Sequence, residues 1–189
     1  MSNEVKTIKK KYTRKIPNIL EKDEINLLLD SFKITSRIQY RNKLLIKLIL
    51  STGLKISEAI NLKWIDVNQN SGRIRVKKEK LSQNRTLRIN PKFFAELNEM
   101  YAKFKIAKNI YLFENNNGKQ LCMRVINKML RNKSIKLGFE KRIYFDLLRY
   151  TYLTNVYKKT QNLRTVQNIA GYSSIMTSTI YANIKSKNL

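Results

Sequence analysis

The stretch from residue 144 to residue 183 constrains the fold more than any other part of this chain. Its first part, YFDLLRYTYLTNVYKKT, has apolar residues at helical spacing, and Arg149 projects among them. A second amphipathic piece, Leu163 to Ala170, ends at Gly171, a residue that tolerates the left-handed turn closing a helix. A third short helix is expected to carry Tyr181. The sequence therefore predicts three consecutive helices in this region.

The polar residues of this stretch follow a recognisable order. They resemble the tyrosine recombinase (phage integrase) catalytic domain, whose pattern is H-x-x-R, then L-G-H, then a nucleophilic tyrosine about ten residues on. Here the matching positions hold Asp146, Arg149, Ala170-Gly171-Tyr172 and Tyr181. Upstream, residues 52–62 read TGLKISEAINL and resemble the family's T-G-L-R-I-S-E-L box, with Lys55 in place of the first arginine. The resemblance extends over roughly residues 18 to 185.

The resemblance implies a DNA-breaking and rejoining reaction. Recombinases of this kind attack a phosphodiester with a tyrosine oxygen and form a 3′-phosphotyrosyl link, with no metal and no other cofactor. Two arginines clamp the phosphate, a lysine acts as the acid, and histidines assist. Carried over to this chain, Tyr181 is the nucleophile and Arg149 is a phosphate clamp.

Two segments downstream of the TGLKISEAINL box alternate polar and apolar residues. They are Gly72–Val76 and Arg85–Ile89, with residues 77–84 between them. This period of two is typical of strands, so the sequence predicts an antiparallel hairpin. In tyrosine recombinases, the family that this chain resembles, the catalytic lysine lies on this hairpin.

The hairpin loop holds several candidates for that lysine. The family spacing K-x-x-x-x-R-T, counted back from Arg85, lands on Lys80, the general acid candidate, whereas counting forward from Val76 lands near Lys78. Lys77 is a third candidate. For each of the three, the alternative to a catalytic role is an ordinary solvated lysine on a loop. The candidate DNA contacts are Lys77, Lys78, Arg85, Lys9, Lys10 and Lys11.

Three positions depart from the family pattern. Lys55 keeps the charge of an arginine but loses the planar fork that grips two phosphate oxygens. Asp146, in place of a histidine, puts a negative charge beside the phosphate and is placed to draw Arg149 away. Tyr172, in place of the second histidine or of the tryptophan that some members use, still donates one hydrogen bond. The alternative to an active recombinase is therefore a catalytically inactive, DNA-binding relative.

Composition points to a polyanionic partner. The chain has 39 Lys and Arg against 13 Asp and Glu, a formal net charge of +26. The electrostatic field of such a charge favours double-stranded DNA as the partner. The alternatives are that the charge arose by compositional drift, or that the protein associates with RNA. The absence of histidine excludes imidazole bases and metal ligands, and the single Cys122 excludes an internal disulfide. We expect no metal, no membrane span and a reducing compartment, either prokaryotic cytoplasm and nucleoid or an organelle genome.

The remaining pattern predicts an α+β, mainly α-helical fold with a small antiparallel sheet. We expect a flexible basic arm over residues 1–16, a catalytic domain over 17–189, and no N-terminal core-binding domain. Further helices are predicted over 21–32, 37–51, 57–62 with Ser57 as cap, 90–104 and 123–136, with a short strand at 111–113 and a turn at 115–118. By resemblance, the protein is expected to act as a tetramer on DNA, alone or with a partner recombinase.

Overall fold

The computed structural model describes residues 19–77, 84–108 and 110–182. These residues form eight α-helices and one small antiparallel sheet. The helices are α1 (Lys22–Asp30), α2 (Arg37–Thr52), α3 (Ile56–Asn61), α4 (Pro91–Lys103), α5 (Met123–Lys136), α6 (Phe145–Thr160), α7 (Leu163–Ala170) and α8 (Thr179–Ala182). The strands are β1 (Val67–Asn68), β2 (Arg73–Val76) and β3 (Arg85–Arg88). The predicted fold class is confirmed.

Helices α2 and α6 pack against each other at the centre of the fold. Ser36 caps α2 by accepting a hydrogen bond from the N–H of Gln39, and the helix ends at Gly53. Helix α6 was predicted to have one apolar side, but the structure buries it more widely. Its buried side chains are Phe145, Leu147, Leu148, Arg149, Thr151, Leu153 and Thr154. A helix buried this broadly is a core helix, which explains why Arg149 lies inside the protein.

The sheet has the order β1-β2-β3, with both pairs antiparallel. Val76 pairs with Arg85, so the predicted hairpin is confirmed and its loop starts at Lys77. Ile74, Val76 and Leu87 are buried whereas Arg75, Thr86 and Arg88 are exposed, as the alternation predicted. Strand β1 was not predicted, because two residues are too short to show a period.

Two local predictions were wrong. Helix α3 is capped by Lys55 rather than Ser57: the Lys55 N–H donates to the Glu58 carboxylate over 2.8 Å, which starts the helix at Ile56. Residues 111–113 form no strand; Tyr111 makes an isolated bridge with Lys63, although Leu112 and Phe113 are fully buried.

The other predicted helices are confirmed. Asn90 caps α4 by accepting from the N–H of Lys92, and Pro91 occupies the first helical position. Asn115 closes the predicted turn by accepting from the N–H groups of Asn117 and Lys119. None of the helices in the described ranges is long and apolar enough to cross a bilayer. The basic arm, residues 1–16, lies outside the described residues.

Candidate active site

Arg149 is the centre of the candidate site. Its side chain projects from α6 and the residue is only 3% exposed. Nη1 donates to the carbonyl of Gly53 over 2.7 Å, and Nη2 donates to the carbonyl of Ala170 over 2.8 Å. These carbonyls lie at the C-terminal ends of α2 and α7, where unpaired backbone oxygens carry partial negative charge. Two helix ends therefore hold the buried guanidinium.

Glycine closes both of these helices for a steric reason. Gly53 has φ +67°, and a Cβ there would come within 2.7 Å of the Tyr152 ring. Gly171, directly after Ala170, has φ +66°, and a Cβ there would lie 2.8 Å from Nη1 of Arg85. Side chains other than glycine rarely adopt this conformation and would also collide with those groups. Both glycines thus allow the ends of α2 and α7 to pack closely against these side chains.

Glu58 is an acidic residue of the site that sequence analysis did not single out. Its carboxylate accepts hydrogen bonds of 2.8 Å from Nη1 and Nη2 of Arg85 and from the N–H of Lys55. One of its oxygens also lies 3.8 Å from Nη1 of Arg149. Burial by itself raises the pKa of this carboxyl, but Arg85, the Lys55 N–H and Arg149 together hold the pKa below its usual value. Glu58 is therefore an anion between two arginines.

Tyr181 and Tyr172 lie on the other side of Arg149. Tyr181, on α8, is fully buried, and its hydroxyl oxygen is 3.1 Å from that of Tyr172. The ring of Tyr172 in turn lies 5.2 Å from the Arg149 guanidinium carbon, measured to the ring centroid. Burial, with smaller effects from Tyr172, raises the pKa of Tyr181 far above its usual value. The buried hydroxyl is thus neutral and hydrogen-bonded.

The lysines of the site surround a cavity of about 380 Å³ between α3 and the sheet. Its lining includes Lys55, Glu58, Lys63, Asp66, Arg75 and Lys77. Lys55 is exposed at the start of α3, and Lys77 lies 3.5 Å from the buried carboxylate of Asp66. Among the candidate lysines, Lys78 and Lys80 lie outside the described residues, as do Lys9, Lys10 and Lys11.

These buried contacts join the sequence motifs into one site. The family model for the phage integrase family matches residues 18–188. The chain belongs to the phage integrase family. XerH of Campylobacter jejuni, a tyrosine recombinase, is 31% identical over 182 residues, which cover 93% of this chain and 51% of XerH.

Solved recombinases have the same fold as this phage integrase family chain. The XerA recombinase gives a TM-score of 0.76 at 25% identity, over 92% of this chain and 62% of XerA. The XerH site-specific recombinase bound to its difH substrate, in a pre-cleavage complex, gives 0.75 at 29% identity, over 89% of this chain and 51% of XerH. The chain thus spans about half to three fifths of the length of these relatives.

Asp146 does not draw Arg149 away, as sequence analysis had suggested. It is exposed in the first turn of α6, and the ion pairs among the described residues include none between these side chains. In that turn a carboxylate interacts favourably with the helix dipole. Asp146 is therefore compatible with the buried position of Arg149.

Arg85 lies in a different environment from the DNA-facing one that the sequence suggested. Its side chain is 11% exposed and its guanidinium is turned inward. Nη1 and Nη2 bind Glu58, and Nε donates to the carbonyl of Ile169 over 2.9 Å. The Arg-Thr pair at the start of β3 was the available signal, but it could not show which way the side chain points.

Proposed function

We propose that this chain cuts and rejoins double-stranded DNA through a 3′-phosphotyrosyl intermediate. The observation that carries the proposal is that Tyr172 links two motif residues: its ring lies against Arg149 and its hydroxyl is hydrogen-bonded to that of Tyr181. Membership of the phage integrase family and the similarity to recombinases support it. A tyrosine beside a buried arginine provides a nucleophile and a cation for a phosphodiester.

In the proposed reaction, the Tyr181 oxygen attacks phosphorus and its proton passes to solvent water. The bond from phosphorus to the 5′-oxygen breaks, and Lys80 donates the proton that makes this oxygen a hydroxyl. Arg149 and Lys55 stabilise the charge that develops on the phosphate oxygens. Attack by the 5′-hydroxyl of another strand then restores a phosphodiester and frees Tyr181, so no external energy source is consumed.

The position of Tyr181 adds a conformational step. Its hydroxyl is buried and bonded to Tyr172, so a phosphate cannot reach it without a movement of α8. Helix α8 has only four residues, from Thr179 to Ala182. Short helices contribute few contacts, so moving this one is a small rearrangement compared with unfolding the core.

A basic face on α5 fits the proposed DNA partner. Helix α5 and the segment before α6 border an open cavity of about 930 Å³ whose charged lining residues are Lys128, Arg131 and Arg142. With Lys77, Lys78 and the lysines of the arm, these cations supply contacts to backbone phosphates. The affinity for DNA should therefore fall steeply with salt, with a slope in log-log form of about −0.9 per phosphate contact.

We further propose that the protein works as an oligomer on DNA, alone or with a partner recombinase. The compartment would be reducing and contain DNA, such as a bacterial nucleoid or an organelle genome. The family resemblance and the single cysteine support these assignments.

The experiment is a cleavage test on nicked suicide duplexes taken from the protein's own genomic neighbourhood. A nick near the scissile phosphate lets the cut strand diffuse away and traps the covalent complex, which denaturing gels detect. The proposal predicts a protein-DNA band that the Tyr181→Phe protein lacks. Binding of the same duplexes without a band, under conditions where a known recombinase forms one on its own nicked site, would favour the inactive, DNA-binding relative.

A further inference from the structure

The contacts of Arg85 connect three parts of the site. From the first position of β3, its guanidinium binds the carboxylate of Glu58 on α3 with two parallel hydrogen bonds of 2.8 Å. Its third nitrogen binds the carbonyl of Ile169 on α7. A two-pronged pair of this kind fixes direction as well as distance. Arg85 therefore fixes α3, which Lys55 directly precedes, relative to α7, which carries one of the carbonyl groups that hold Arg149.

The backbone leaves space for this contact. Gly171 passes so close to Arg85 that an added Cβ would lie 2.8 Å from Nη1. Both partners are mostly buried, with 11% of the Arg85 side chain and 12% of the Glu58 side chain exposed. With all three of its nitrogens bonded inside the protein, this guanidinium is directed towards the interior and away from a DNA backbone.

The negative charge of Glu58 also affects Arg149. Glu58 lies 3.8 Å from Arg149, so without Arg85 it would be a buried anion whose ion pair among the described residues is with Arg149. Such an anion attracts the guanidinium and competes with a substrate phosphate for it. Because Arg85 occupies both carboxylate oxygens, the charge of Arg149 remains available.

We infer that Arg85 is a positioning residue for strand cleavage: it neutralises and orients Glu58, and thereby keeps Arg149 and Lys55 directed at the scissile phosphate. The inference rests on the proposed reaction and deepens it. It also assigns Arg85 to the interior of the site instead of the DNA surface.

The test compares Arg85→Met, Glu58→Gln and the double variant on the nicked duplex, with Arg88→Met as control. Arg88 lies on the same strand but is exposed. At saturating protein, R85M should form the covalent complex at least about tenfold more slowly than wild type, a loss typical of disturbed charge stabilisation. The double variant should regain most of this loss, since glutamine carries no charge to compete for Arg149. The control should keep the wild-type rate. A double variant as slow as R85M would overturn the inference.

A second readout does not depend on cleavage. The salt dependence of binding to a duplex of arbitrary sequence reports contacts to backbone phosphates, and R85M should keep the wild-type slope. A slope smaller by about 0.9 would make Arg85 a direct phosphate contact and overturn the inference. If the wild-type protein formed no adduct, the proposed reaction would be rejected, while an unchanged slope would still place Arg85 off the DNA.

Discussion

The hydroxyl oxygens of Tyr172 and Tyr181 lie 3.1 Å apart, and Tyr181 is fully buried. Tyr172 stands where the family has a histidine or a tryptophan, so this hydrogen bond between two phenols follows from a departure of this chain from the family pattern. Burial, together with this bond, raises the pKa of Tyr181 and so keeps the proposed nucleophile neutral inside the protein. The same ring of Tyr172 covers Arg149, so the residue touches both the nucleophile and the cation of the site.

The Tyr172–Tyr181 bond should be measurable as a coupling free energy. Tyr172→Phe leaves the buried Tyr181 hydroxyl without this partner and should destabilise the fold by about 1 to 2 kcal/mol. Tyr181→Phe should cost less, because the half-buried Tyr172 hydroxyl can turn to water. Urea unfolding of both single variants and the double variant should give a coupling of about 1 kcal/mol. Additive effects would show that the bond contributes nothing to stability.

Burial of Tyr181 should also appear at high pH. Its pKa is raised in the folded protein, while in the unfolded chain it is about 10. Above that value the unfolded chain releases this proton and the folded one does not, so the free energy of unfolding falls as pH rises. The contribution is fully present below about pH 9 and reduced by about 1.4 kcal/mol at pH 11.

The matched variant for this pH effect is Tyr181→Phe, which has no proton to lose. Its stability relative to wild type should be constant from about pH 6 to 9, then improve by about 1.4 kcal/mol at pH 11. Chemical denaturation at each pH measures the difference. A difference that stays constant to pH 11 would mean that the hydroxyl ionises as readily in the folded protein as in the unfolded chain.

Restoring the family arginine at residue 55 should speed cleavage. Lys55 is exposed at the cavity, and only its backbone N–H is fixed by Glu58, so an arginine fits there. The forked guanidinium should stabilise the transition state by about 2 to 4 kcal/mol more than lysine does, a rate gain of about 30- to 1000-fold.

The rate of adduct formation at saturating protein measures this gain. Lys92→Arg, an exposed exchange in the first turn of α4, is the matched control and should leave the rate unchanged. If both exchanges changed the rate equally, or if Lys55→Arg did not change it, residue 55 would not contact the scissile phosphate.

Much of the fold could be predicted because helices such as α2 and α7 have clear periods and end at glycine. The wide burial of α6 could not be predicted, since it depends on partners distant in sequence. Thr151, for example, accepts a hydrogen bond from the N–H of Leu20 and donates to the carbonyl of Leu147. The spacing of residues within α6 cannot reveal the contact with Leu20.

The candidate site, like the fold, could be predicted from the sequence only in part. Motif order identified Arg149 and Tyr181 as candidates, but the burial of Tyr181 and the inward turn of Arg85 depend on how helices and sheet meet. Glu58 had a usable signal: it is one of only 13 acidic residues and lies inside the TGLKISEAINL box. In so basic a chain, an acid within a motif is a good candidate for a buried ion pair.

The most direct measurement of the central claim is to identify the residue that carries DNA. The trapped adduct would be digested with nuclease and protease, and mass spectrometry would locate the residual nucleotide. The proposed mechanism predicts a 3′-phosphonucleotide on Tyr181 and on no other residue. A nucleotide on Tyr172, only 3.1 Å away, would contradict the assignment of the nucleophile, and an unmodified Tyr181 in a protein that cleaves DNA would contradict the mechanism.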